Sequence, residues 1–134
     1  MNDEVRTGPA DLLAELPRRL ADETIIWLAT VRPDGRPHLI AIWFVWVDDA
    51  LWFTTGANSV KIANIGAEPL VNVSLESGTH SVVGEGTATI VPHPWPRPVI
   101  DAFVERFEWD LSSGFDEQVG EVALVRVDVA RWRR

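Results

Sequence analysis

Thr24-Ile25-Ile26-Trp27-Leu28-Ala29-Thr30-Val31-Arg32-Pro33-Asp34-Gly35-Arg36-Pro37-His38-Leu39-Ile40-Ala41-Ile42-Trp43-Phe44-Val45-Trp46-Val47-Asp48-Asp49-Ala50-Leu51-Trp52-Phe53-Thr54-Thr55 holds three β-rich apolar runs separated by two turns. Pro33-Asp34-Gly35 is a strong turn signal, and Asp48-Asp49 suits a tight reversal. The pattern predicts a three-stranded meander, with Thr24–Val31, one long strand over His38–Val47, and Leu51–Thr55. The long strand is apolar on both sides. His38, Ile40, Ile42, Phe44 and Trp46 form one face, and Leu39, Ala41, Trp43, Val45 and Val47 form the other. A small barrel facing water alternates apolar and polar residues. Two apolar faces imply cover by a helix or a second subunit, and a homodimer built on this strand is the favoured reading.

Leu51–Thr55 runs on through Gly56-Ala57-Asn58-Ser59-Val60-Lys61, which reads as a strand, a glycine turn and the start of a helix. Asn58 or Ser59 is a good N-cap, because either side chain can accept a first-turn N–H. Lys61 is the only lysine among twelve basic residues, and it falls in the first turn. A cation there is unfavourable by a few tenths to about 1 kcal/mol, because the dipole's positive end is close. A bound anion reverses that sign. First-turn N–H groups, hydroxyls and one ammonium together make a phosphate cradle. The competing reading is an exposed lysine on an ordinary helix.

Outward from this centre, residues 1–8 read as a disordered N-terminus, and 9–134 as a single domain. Leu12, Leu13, Leu16 and Leu20 have helical spacing, with Pro17 expected to break or kink the segment. The helix from Ser59 runs to about Ala67, with Val60, Ile62, Ala63 and Ile65 as its apolar side. Leu70–Leu75 is a strand. His80–Val91 is another, whose Gly84 and Gly86 suggest a bulge or close backbone approach. Pro96 or Pro98 opens a helix with Ile100, Phe103, Val104 and Phe107 on one face. A loop covers 110–120, and Glu121–Val129 is the last strand. About six strands, mostly adjacent in sequence, fit an antiparallel barrel with three short helices.

Composition narrows the function. The net charge of −8 argues against nucleic acid and anionic membranes as partners. No cysteine means no disulfide, thiolate or Cys-metal chemistry. No apolar run is long enough to span a bilayer, and the N-terminus is polar and acidic, so a soluble cytoplasmic protein is expected. Seven Trp must fill a core, a pocket or an interface. His38, His80 and His93 are isolated in sequence, so no metal site is expected. No triad or nucleophile elbow is visible, and the catalytic residues are unknown. Glu105, Glu108 and Asp110 read as a solvated face.

Several ordered features carry a family resemblance. They are Ile25–Val31 with its Arg32–Pro37 turn, Ala41-Ile42-Trp43-Phe44, Leu51–Thr55, Ser59-Val60-Lys61-Ile62-Ala63-Asn64-Ile65 and Val83-Gly84-Glu85-Gly86-Thr87-Ala88, closed by Val125-Arg126-Val127 with Arg131-Trp132. Over residues 12–132 the chain resembles the split β-barrel flavin and deazaflavin oxidoreductases. That superfamily includes pyridoxamine 5′-phosphate oxidase, and the chain is similar above all to its small F420-dependent branch. The resemblance implies a mainly β (α+β), six-stranded antiparallel split β-barrel with short flanking helices, FMN-binding-like, in a homodimer with cofactor sites at the interface. It implies that Thr54, Thr55, Asn58, Ser59 and Lys61 hold the phosphate end of F420, or alternatively FMN. The ring system would then lie along Ile40, Ala41, Ile42 and Trp43, and Trp95 and Trp132 of a partner subunit are candidates to close the site. Val60 stands where the oxidase motif has Arg, and the C-terminal Arg and His that bind pyridoxal phosphate are missing, which argues against a vitamin B6 oxidase. The implied activity is hydride transfer between F420 and a small organic acceptor. The alternatives are an FMN enzyme of the same fold, a non-catalytic module for a flavin, haem or other planar ligand, and a dimeric barrel without cofactor.

Overall fold

Every strand pairing among the described residues is antiparallel, as the short turns between apolar runs favour. The computed structural model describes residues 13–133, so the segment expected to be disordered lies outside the described residues. The strands are β1 Ile25–Val31, β2 Pro37–Trp43, β3 Val45–Val47, β4 Ala50–Gly56, β5 Leu70–Leu75, β6 Val83–Val91, β7 Phe115–Asp116 and β8 Gly120–Arg133. Their order is β2-β1-β5-β6-β8-β4-β3, with β7 on β8. β2 and β4 also come into contact without pairing, so the sheet curls into a barrel that is split between them. The mainly β, split-barrel expectation holds.

The described residues contain eight strands where six are expected. One difference is β7, a two-residue stub in the 110–120 loop. The other corrects the meander: the long strand breaks at Phe44. Its N–H donates to the Thr24 carbonyl at 3.0 Å, and its carbonyl accepts from Arg106 Nη1 at 3.4 Å. With both backbone groups engaged elsewhere, Phe44 cannot continue the ladder. β2 therefore pairs with β1, β3 pairs with β4, and the two hairpins lie at opposite ends of the sheet. Asp48 and Asp49 both adopt positive φ, the conformation that a two-residue hairpin turn demands.

Three helices among the described residues flank the sheet: α1 Leu16–Asp22, α2 Val60–Ala67 and α3 Arg97–Phe107. The helical segment breaks at Glu15, between residues 13–14 and α1, and Pro17 sits in the first turn of α1, where no helical N–H bond is lost. Arg106 donates to the carbonyls of Ala21 and Glu23 and so ties α3 to the end of α1. α3 buries Val99, Ile100 and Phe103, while Val104, expected on its apolar face, is exposed. The Gly84–Gly86 expectation holds as well. The β6–β8 register shifts between Glu85 and Gly86, and a Cβ on Gly86 would lie 2.5 Å from the Asp128 carbonyl oxygen.

Two cores result. The barrel core joins Leu16, Ile26, Leu28, Phe44, Phe53 and Val125 with their neighbours. A second core lies outside the sheet, where α3 covers Val45, Trp52 and Leu124. β4 separates them.

Candidate functional site

α2 begins where β4 ends, beside the split. Ser59 has extended backbone angles and caps the helix, its Oγ accepting the Ile62 N–H at 3.4 Å. Thr55 Oγ1 donates to the same Ser59 Oγ at 3.2 Å. Ser59 therefore keeps its own hydroxyl proton available to a further acceptor. The N–H groups of Val60 and Lys61 have no intrahelical acceptor, as in any first helical turn. No acidic residue lies in that turn, and among the described residues Lys61 has no carboxylate within ion-pair distance.

The buried side of α2 differs from the expected one. Asn64 and Ile65 are buried, whereas Val60 and Ala63 are exposed. Lys61 precedes Asn64 by three positions and Ile65 by four, so it shares their face. Its ammonium is partly desolvated against the barrel, which holds its pKa below the usual 10.5. A half-buried cation without a counter-charge, at a helix N-terminus, has the electrostatics of an anion receptor.

The other candidates are distributed unevenly. Asn58 is exposed in the turn before Ser59. Thr54 precedes Thr55 on one strand and so points to the opposite face, where its cross-strand partner Leu124 belongs to the second core. The structure thus brings Thr55, Ser59 and Lys61 to one corner and leaves Thr54 off it. On β2, Ile40 and Ile42 turn toward the barrel interior, and Ala41 and Trp43 turn outward. Trp43 stacks on Phe107 at 4.5 Å between ring centroids. Trp95 is buried in its own chain's second core, its Nε1 donating to the Val91 carbonyl. Trp132 is half-buried beside Trp46.

Two residues that the sequence reading passed over dock α2. Asn64 Nδ2 donates to Thr30 Oγ1 at 3.0 Å, and both side chains are almost fully buried. A cavity of about 210 Å³ adjoins the cradle, between Ala57, Ile62, Ile90 and Ala123, with the stacked His93 and Trp95 at its wall. Asp110, read as solvated, is exposed, and its carboxyl is lowered by hydrogen bonds from Ser112.

A sequence profile described as pyridoxamine 5′-phosphate oxidase matches residues 12–134. The chain belongs to the pyridoxamine 5′-phosphate oxidase family. Solved structures agree. Rv2991 of Mycobacterium tuberculosis, a conserved hypothetical protein, is 30% identical over 89% of this chain and 81% of its own, with TM-score 0.72. An F420 reductase is 27% identical over 86% of this chain and 93% of its own, with TM-score 0.67. The haem storage protein HutZ of Vibrio cholerae shares the fold at 21% identity, over 90% and 91% of the two chains, with TM-score 0.73. No curated protein sequence matches the chain. The family's fold is one that binds flavin-type cofactors and serves mostly oxidoreductases, although its neighbours include non-catalytic members. No helix among the described residues is long and apolar enough to cross a membrane.

Proposed function

We propose that the protein is an oxidoreductase that moves a hydride between the deazaflavin F420 and a small organic acceptor. The observation that carries this reading is the corner of Thr55, Ser59 and the half-buried Lys61, which has no carboxylate partner among the described residues, at the first turn of α2. These residues fit the phosphate end of such a cofactor. Lys61 and the first-turn N–H groups donate to it, and Ser59 adds its hydroxyl. Asn58 and Thr54 remain candidates, although only Asn58 lies on the same turn. Ile40, Ala41, Ile42 and Trp43, which alternate between the two faces of β2, are the proposed bed for the ring, mostly through their backbone groups. When bound, the cofactor supplies the hydride chemistry, and the protein supplies orientation and a dry surface. The likeness to an F420 reductase favours F420. FMN presents the same phosphate and is the second reading.

The outer face of β2 supports a homodimer. Leu39 and Trp43 are exposed there beside Trp27 on β1, and Leu70 on β5 extends the face. A contiguous apolar surface of this kind marks an interaction site, and a second copy of this chain is the proposed occupant. Titration of the purified protein with F420 and with FMN, followed by ligand fluorescence, tests the cofactor. Saturable binding with F420 tighter than FMN is expected, and Lys61→Ala is expected to weaken it at least tenfold. The reverse preference would establish the FMN reading. Binding of neither would overturn the proposal.

A further inference from the structure

Along β6 and β8 the inner face of the barrel stays apolar up to its mouth. Ile90 on β6 lies opposite Val125 on β8, a residue of the barrel core, so the two share that face. Ala123 and Glu121 precede Val125 by two and four positions and continue the face toward the mouth. α2 crosses the mouth unevenly. Asn64 ties one flank to Thr30 on β1. Ile62, two positions earlier, points about 200° around the helix, to the flank that meets β6. There the cavity of about 210 Å³ stays open between Ala57, Ile62, Ile90 and Ala123. Ile90 is 40% exposed, and the two alanines are too small to close the gap.

The wall of the cavity is fixed in place. Trp95 is buried, and its Nε1 donates to the Val91 carbonyl at 3.2 Å. The His93 imidazole stacks on that indole at 4.2 Å between centroids. Gly114, at φ +69°, leaves room for the imidazole edge, since a Cβ there would lie 2.9 Å from Nε2. A flat polar ring is thus held in one orientation, which lowers the ordering cost of binding. The Ala57 N–H donates to the Glu121 carbonyl at 2.8 Å and sets Glu121 at the rim. Glu121 supplies the only carboxylate of the lining, and no cation among the described residues pairs with it. A carboxylate only accepts hydrogen bonds, so it favours a ligand N–H and repels an anion, the opposite preference to Lys61. The volume is below the roughly 300–1,000 Å³ of pockets that enclose a drug-sized ligand, so it suits one ring or a fused pair.

We infer that this cavity is a second small-molecule site, separate from the proposed cofactor site, for an amino-substituted nitrogen heteroaromatic of the aminopurine or aminopyridine class. The aliphatic walls take the ring, the His93 imidazole supports it, and the amine donates to Glu121. The inference does not depend on which cofactor binds at the start of α2.

Adenine and purine, which share a ring system and differ in the exocyclic amine, are the probes, in ligand-detected NMR titrations of the full chain. The wild type is expected to bind adenine saturably and about fivefold more tightly than purine, the size of a charge-assisted hydrogen bond at an exposed rim. Glu121→Ala is expected to remove that preference. His93→Ala, at an exposed position, is expected to weaken both probes about two- to tenfold through lost stacking, and Ala123→Leu, which fills the cavity, to weaken both further. Lys61→Ala is expected to leave both unchanged. A probe that Lys61→Ala releases sits at the cofactor site, which would overturn the inference and leave the cofactor reading standing. No saturable binding of either probe would overturn it, as would binding unchanged in both His93→Ala and Ala123→Leu. Equal binding of adenine and purine by the wild type would overturn the assignment to an amino heteroaromatic.

Discussion

β4 and β2 both carry apolar residues on their two faces, and only β4 is covered on both. Its inner face, with Leu51 and Phe53, packs in the barrel core, and its outer face, with Ala50 and Trp52, packs under α3. Along β2 the inner face is half-buried, and Leu39 on the outer face is 64% exposed. The reach of α3 explains the difference. It covers Val45, and Phe107 at its last turn stacks on Trp43. Beyond Trp43 no element among the described residues covers the same face of the sheet. Two strands with similar sequences thus take opposite roles: β4 is internal framework, and β2 is an open edge beside the proposed anion corner. Burial of a large apolar side chain contributes about 1.5–3 kcal/mol, so leaving Leu39 and Trp43 in water forgoes a sizeable stabilisation unless a partner supplies the cover.

The largest test of that contrast is on β4. Phe53 is fully buried, and Phe53→Ala is expected to cost about 3–5 kcal/mol in urea unfolding. A cost below about 1 kcal/mol would mean that the second core, rather than the barrel core, holds β4. A smaller effect belongs to the corner between the strands. The Lys61 pKa is depressed by burial. Below its folded pKa the ammonium's desolvation penalty is fully present, and the penalty is relieved as pH rises toward 10.5. A bound anion opposes that depression. With only one lysine in the chain, a ¹³C-lysine NMR titration reads it directly. The midpoint is expected below 10.5 without phosphate and higher with it, and an unmoved midpoint would remove Lys61 from the anion site. Smallest is the cap. Ser59→Ala is expected to cost about 0.5–1 kcal/mol, at the low end for N-caps because its bond is long. The loss should be larger in phosphate buffer if Ser59 makes the proposed anion contact.

Much of this was legible from local pattern. The Pro33-Asp34-Gly35 turn, strand Leu70–Leu75 and the Ser59 cap follow from neighbouring residues alone, and the structure has them where the sequence predicts. The break at Phe44 was not legible, because Arg106, which takes its carbonyl, lies far along the chain on α3. The buried face of α2 was misread for a related reason. Hydropathy put Val60 and Ala63 inside, whereas a buried bond from Asn64 to Thr30 sets the helix's rotation. That rotation brings Lys61 against the barrel. Thr54 and Thr55 are adjacent in sequence, but strand alternation sends them to opposite faces of the sheet, and no motif separates them.

Sedimentation velocity of the wild type beside Leu39→Glu tests most directly whether β2 is an interface. The wild type is expected as a dimer at micromolar concentration. The variant, with a carboxylate in the middle of the apolar face, is expected as a folded monomer that no longer binds cofactor. A wild type that sediments as a monomer and still binds cofactor would contradict the account, because β2 would then be open without a partner.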